Sequence, residues 1–192
     1  MNSLTSIQTF TGIFFDPFNP RVEDVRIEDI AHALTMQCRF SGHVRKRWSV
    51  AQHSLMVSDL CPPGLRLEGL LHDAAEAYVI DLPRPLKNAS GFERYREIES
   101  DVYHAIAKRF GLAFPMAMAH KAKIKTADDI ILWAEAYALL HGTKEWSKDK
   151  MPPDIDMDQF NPLVQAIKNA SPPTDDYIKE EFLRTFYALG GE

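Results

Sequence analysis

Ser49-Val50-Ala51-Gln52-His53-Ser54-Leu55-Met56-Val57-Ser58-Asp59-Leu60, broken by Cys61-Pro62-Pro63-Gly64 and resumed as Leu65-Arg66-Leu67-Glu68-Gly69-Leu70-Leu71-His72-Asp73-Ala74-Ala75-Glu76-Ala77, is the stretch that decides the fold. Ser49 is an N-cap residue type, so a helix is expected from there to about Leu60. Two prolines and a glycine stop it, and a second helix is expected from Leu65 to about Ala77. So short a connection returns the second helix antiparallel to the first. His53 lies eight residues before Cys61 and His72 eight after Gly64. At the α-helical rise each sits about 12 Å from the turn, so the two imidazoles reach the same level. His53 shares a helical face with Val50, Val57 and Leu60, and His72 follows Leu70-Leu71, so both are expected to point inward.

Carboxylates gather at the same place. Asp73 adjoins His72, and Glu76 is i+4 from His72 and i+3 from Asp73, so the three converge on one side of a helix or its end. Farther on, Ile124-Lys125-Thr126-Ala127-Asp128-Asp129-Ile130-Ile131 reads as helix. With Ile124 at 0°, Asp128 falls at about 40°, inside the stripe of Ile124, Ile131, Leu132, Ala138 and Leu139. Asp129 falls at about 140°, beside its i−4 neighbour Lys125, and is expected to be the solvated ion-pair partner. Glu135, at about 20°, lies in the inward stripe and is expected to orient a ligand from behind. Buried carboxylates beside buried histidines cost several kcal/mol unless they are paired or hold a cation. Two imidazoles with two carboxylates suit a divalent first-row ion such as Mn, Fe, Co, Ni or Zn. A polar helix-bundle core of hydrogen-bonded His and Asp is the alternative.

Outward from this centre, Thr5 to Phe15 suggests a short strand or hairpin with Gly12 at its turn. Asp29 to Gln37 has helical spacing. Ile80 to Leu86 is expected to be loop, because Pro83 and Pro85 interrupt it. Gly91 to Phe110 and Met116 to Leu140 read as helices ending at Gly111 and Gly142. Residues 143–162 read as mostly loop, and Asp175 to Leu189 as a last helix. The class expected is all-α, with one domain over residues 1–192, a core at about 26–142, and a C-terminal loop and helices from 143 to 192 that cap the core or contact a second subunit.

The 192 residues are 45% hydrophobic and 26% charged, proportions of a globular domain rather than a disordered chain. Twenty-two basic against 27 acidic residues leave a net charge of −5. That balance argues against a nucleic-acid or anionic-membrane surface, though it permits a local basic pocket for a small phosphate ligand. The two cysteines, Cys38 and Cys61, lack metal-site or disulfide-framework spacing and read as ordinary thiols of a reducing compartment. No apolar run is long enough to span a membrane, and no basic residue precedes Arg21, so a cytoplasmic protein without a signal peptide is expected.

The order His53…His72-Asp73…Asp128 resembles that of the HD-domain phosphohydrolases, H…HD…D on an all-helical core. Ser49 to Ser54 is similar to the first-ligand helix of the HD-type 5′-deoxynucleotidases, and Leu71 to Glu76 to their HD helix. Asp81-Leu82-Pro83-Arg84-Pro85-Leu86-Lys87 resembles their D-L-P-x-P-x-K loop, and Thr126-Ala127-Asp128 their last-ligand segment. Phe10 to Pro17 and Cys38 to His43 look closest to a prophage-type branch. The likeness spans about residues 7–142. It implies that His53, His72, Asp73 and Asp128 bind one divalent ion (Mn, Co, Fe, Ni or Zn, with Mg allowed), at which water is activated to attack a nucleotide phosphate. It makes Glu76 the general acid/base, and Asp81 a group that holds the sugar or positions water. Arg39 and Lys87 become phosphate ligands, with Arg84 and Arg45 or Arg47 available for a triphosphate.

Where the deoxynucleotidases carry Arg-Trp, this chain carries Arg39-Phe40, one residue nearer the first ligand. Phe40 and Trp48 are the stacking candidates, Trp48 with a core aromatic role as its alternative, and His43 a further phosphate contact. Arg45-Lys46-Arg47 otherwise reads as a solvated basic turn. Removal of the 5′-phosphate of (deoxy)nucleoside monophosphates is the first expectation. A triphosphohydrolase releasing triphosphate from a dNTP is the alternative within the superfamily. A non-catalytic metal- or nucleotide-sensing module and a plain helical interaction protein stand outside it. A homodimer is implied by the resemblance only.

Overall fold

The computed structural model describes residues 5–142, 155–171 and 173–192. Strands β1 (Ile7–Gln8) and β2 (Phe14–Phe15) pair antiparallel, Ile7 opposite Phe15, so the expected hairpin is present. Thr11 fixes it to the first helix through its N–H and hydroxyl, both donating to the buried Asp29 carboxylate at 2.7 and 2.9 Å. The remaining elements are helical: α1 (Ile27–Met36), α2 (Val50–Leu60), α3 (Arg66–Leu70), α4 (Glu76–Val79), α5 (Arg84–Lys87), α6 (Glu93–Arg109), α7 (Met118–Leu139), α8 (Met157–Asn169) and α9 (Asp175–Ala188). The all-α class with an N-terminal hairpin is what the sequence led one to expect. No helix among the described residues is long and apolar enough to cross a membrane.

Ser49 starts α2 with a full capping box: its hydroxyl accepts from Gln52 N–H, and the Gln52 side chain accepts from Ser49 N–H. The chain returns at Pro62-Pro63-Gly64, as expected, but the second helix is not continuous. It stops at Leu70, and residues 71–75 form turns closed by i→i+3 bonds, Ala74 N–H to Leu71 and Glu76 N–H to Asp73, both at 3.0 Å. This tighter winding eclipses residues three apart and stacks Glu76 on Asp73. Gly69 lets α3 press on α2, because an added Cβ would lie 2.7 Å from Cys61 Sγ and 3.3 Å from the Ser58 backbone. Gly69→Val is therefore expected to cost about 1–3 kcal/mol by overpacking, read as a lowered urea midpoint.

Two further expectations are corrected. The segment around Pro83 and Pro85 contains a helical turn, α5, because Pro85 falls in its first turn, where no N–H is needed. Residues 143–154 lie outside the described part, but Met157–Asn169 is helix, so the loop expected up to residue 162 gives way to helix from Met157. Asp156 caps it by accepting from Asp158 N–H, and Phe160, Val164 and Ile167 form its buried stripe despite Pro162.

One core gathers Phe15, Ile30, Leu34, Leu70, Leu71, Ile106, Phe182 and Phe186 from the hairpin, α1, α3 and the turn after it, α6 and α9. Each fully buried side chain of this size contributes about 1.5–3 kcal/mol. A second cluster packs Trp48 and Trp133 with Phe160 and Ile167, and a third joins α2 to α7 through Val57, Cys61, Ile124 and Ile131. The C-terminal helices thus close the core.

Candidate metal and catalytic site

Three elements meet: α2 carries His53, the 71–75 turn carries His72 and Asp73, and α7 carries Asp128. His53 Nε2 lies 3.2 Å from Asp128 Oδ1 and 3.7 Å from Asp73 Oδ2. His72 Nε2 lies 3.1 Å from Asp73 Oδ2 and 4.0 Å from Asp128 Oδ1. Ligand atoms of His53, His72 and Asp128 all fall within 4.8 Å of one another, a group that can hold a metal ion. Both Nε2 atoms are buried without a well-aligned hydrogen-bond partner. Two orphaned imidazole nitrogens facing two carboxylates are the donor set a first-row divalent cation requires, so the residues fit the ion.

The rear of each imidazole is held. His72 Nδ1 is 2.8 Å from the Gly69 carbonyl, which makes Nδ1 the donor and directs the Nε2 lone pair into the site. His53 Nδ1 is 3.1 Å from Glu135 Oε1, the inward acid expected to orient a ligand. Glu135 is fully buried and also accepts from Trp48 Nε1 at 2.9 Å and Arg39 Nε at 3.1 Å. Trp48 is thus a core aromatic serving Glu135.

Burial opposes the charge on Asp73 and Asp128, yet His72 and His53 hold both well below the ordinary carboxylate range. Burial and Arg39 act against protonation of His53, but Glu135 and Asp128 outweigh them and push it up to about 9. Without a metal, His53 is therefore an imidazolium at neutral pH. Its contribution to stability is complete below about pH 6.5, the unfolded value, and is lost as pH rises through about 9. The expected urea midpoint of chelator-treated protein falls over that interval. The increment added by Mn²⁺ grows over the same interval, because the ion displaces the proton. A His53 contribution that rose with pH would contradict this.

Glu76 is buried at the edge of the cluster, and its Oε2 has no hydrogen-bond partner. Burial, with Asp73 and Asp81 nearby, holds its carboxyl well above the usual range. Burial and Asp73 also raise Asp81, whose Oδ2 is 3.8 Å from Arg39. Arg39 begins a turn in which Phe40 (φ 54) and Ser41 (φ 51) are both left-handed, and its guanidinium lies 5.6 Å from the half-buried Phe40 ring. His43 is exposed on that turn. Arg84 is exposed, 3.8 Å from Asp128 Oδ2 and 3.7 Å from Asp129 Oδ1. Lys87 Nζ is bound to Glu99 at 2.5 Å. Lys125 pairs with Asp129 as expected, and also reaches Asp128 at 3.2 Å.

Two residues near the site escaped the sequence reading. Gln37 joins the Glu76 carbonyl to the Asp81 N–H, and Tyr95 donates to the Ile80 carbonyl. Their only sequence signal is a polar side chain at the end of α1 and on the first turn of α6.

No family model matches the chain. The uncharacterized protein YfdR of Escherichia coli is 38% identical over 134 residues, 69% of this chain and 71% of YfdR. An uncharacterized protein of Rhodobacter capsulatus is 37% identical over 135 residues, 66% of this chain and 68% of its own. Among solved structures, the HD phosphohydrolase DatZ of cyanophage S-2L, bound to dA and one catalytic Zn²⁺ ion, is similar over 83% of this chain and 94% of that one. The identity is 16% and the TM-score 0.48, a likeness too distant to transfer that protein's chemistry.

Proposed function

This chain belongs to the family of E. coli YfdR, and we propose that it is a divalent-metal-dependent phosphohydrolase of the HD type that removes the 5′-phosphate from (deoxy)nucleoside monophosphates. The observation that carries the reading is the convergence of two orphaned imidazole nitrogens on the Asp128 carboxylate, with Asp73 against both and Glu76 beside them. His53, His72, Asp73 and Asp128 would hold the ion. When bound, it supplies Lewis acidity to a phosphoryl oxygen and makes water nucleophilic at neutral pH.

The chain's own groups do the rest. Glu76, whose carboxyl is raised well above the usual range by burial and by Asp73 and Asp81, is the general acid that gives its proton to the nucleoside oxygen as the P–O bond breaks. Asp81 orients the sugar or the attacking water. Arg84, exposed beside Asp128, meets the incoming phosphate. Arg39 is locked between Glu135 and Asp81, so its charge is fixed at the base of the site. Glu135 holds Arg39 and His53 in register.

A monophosphate is favoured over a triphosphate because few cations remain uncommitted. Arg47 pairs with Asp175 and donates to the Thr35 carbonyl, Lys46 binds the carbonyls of Ile167, Lys168 and Ala170 at the end of α8, and Lys87 binds Glu99. The test is to resupply metal-stripped protein with Mn²⁺, Co²⁺, Mg²⁺ or Zn²⁺ and assay a nucleotide panel. Orthophosphate from monophosphates supports the reading. Triphosphate from a dNTP moves it to the other hydrolase, and stoichiometric metal without turnover moves it to a sensing module.

A further inference from the structure

Ile80, the residue before Asp81, has φ 68° and ψ 151°. That region belongs essentially to glycine, and a β-branched residue there is strained. Its side chain is 59% exposed, so side-chain packing does not force the conformation. Backbone bonds do. Ile80 N–H donates to the Glu76 carbonyl at 2.8 Å. The peptide joining Ile80 to Asp81 is gripped at both ends: its carbonyl accepts from Tyr95 Oη at 2.7 Å, and its N–H donates to Gln37 Oε1 at 3.0 Å. Gln37 Nε2 then donates to the Glu76 carbonyl at 2.9 Å, so one amide spans the backbones of both acids.

We propose that Gln37 and Tyr95 are positioning residues: they hold the strained Ile80 peptide and thereby fix the Asp81 carboxylate against Arg39 at the edge of the metal cluster. The inference deepens the phosphohydrolase reading and rests on it for the role of Asp81. Removing a clamp lets Ile80 relax to negative φ and swings Asp81 away. Relaxation recovers strain, so the same change costs less stability than a lost hydrogen bond otherwise would. With glycine at position 80 there is no strain to recover, and Asp81 stays in place. Activity and stability therefore couple to residue 80 with opposite signs, which a merely structural role would not produce.

The experiment compares Ile80→Gly, Ile80→Ala, Tyr95→Phe and Gln37→Met, and each clamp variant combined with Ile80→Gly. In metal-free protein, the urea midpoint of Ile80→Gly is expected above that of Ile80→Ala, since both remove the side chain and only glycine accepts the backbone. Tyr95→Phe in the otherwise wild-type chain is expected to lower kcat for phosphate release by about tenfold or more, the scale of a misplaced catalytic group, with Mn²⁺ affinity unchanged. Its effect is smaller, and Asp81 amide exchange stays slow, when it is combined with Ile80→Gly. Equal midpoints for the glycine and alanine variants, or equal kcat losses in both backgrounds, would overturn the proposal. Wild-type protein that releases neither orthophosphate nor triphosphate from any nucleotide would overturn the hydrolase reading, while the midpoints and the Asp81 exchange would still decide the clamp.

Discussion

Asp128→Ala will reduce phosphate release to background and weaken Mn²⁺ binding, while leaving a folded protein. Asp128 belongs to the group whose atoms lie within 4.8 Å of one another, and it is the carboxylate nearest His53 Nε2, at 3.2 Å. Without it, two neutral imidazoles and Asp73 must hold a dication, a poorer donor set and one anionic charge short. In the metal-free protein the variant gives up the pairing of Asp128 with the buried His53, so its urea midpoint at neutral pH falls, while the apolar contacts of α7 and the Lys125 and Arg84 pairs with Asp129 keep the chain folded. Metal-free Asp128→Ala also loses less stability than wild type as pH falls below about 4. A carboxylate held below its ordinary pKa stabilises the fold above the unfolded value and gives that stability up on acidification. Metal titration by calorimetry and urea unfolding across pH read both effects.

Glu76→Gln will lower kcat by about 10²–10⁴-fold, the range of a lost general acid, with Mn²⁺ affinity nearly unchanged. The split between the two readouts is the point of the experiment. Glu76 is buried and its Oε2 is unpartnered, whereas the Asp73 and Asp128 carboxylates lie against the imidazole Nε2 atoms. An amide keeps its shape and burial but has no proton to give at neutral pH. Equal loss of metal and of turnover would make Glu76 a ligand instead.

The sequence made the centre legible because helical periodicity is local. The Ser49 cap, the Pro62-Pro63-Gly64 break and equal eight-residue arms place His53 beside His72, and a 100° step separates the inward Asp128 from the outward Asp129. What it did not show depends on distant pairing. Glu135 was legible as an inward acid, but its bonds to Arg39, 96 residues away, and to Trp48, 87 away, depend on how α2, α7 and the 39–42 turn dock. Gln37 and Tyr95 act on backbone groups, which leave no trace in a side-chain pattern. The α8 helix was hidden by Pro162 and polar neighbours, although Phe160, Val164 and Ile167 kept helical spacing. The break at residues 71–75 replaces an expected helix with turns, and those turns bring Asp73 and Glu76 into line.

The central claim is that this cluster holds a catalytic cation. Its most direct test is to strip the protein of metal, titrate Mn²⁺ into wild type and Asp128→Ala, and assay orthophosphate release from nucleoside 5′-monophosphates at each point. The account predicts one ion per chain in wild type, with phosphate release rising in step with occupancy, and neither in the variant. Wild-type protein that binds no Mn²⁺, Co²⁺, Mg²⁺ or Zn²⁺ at this site would contradict it.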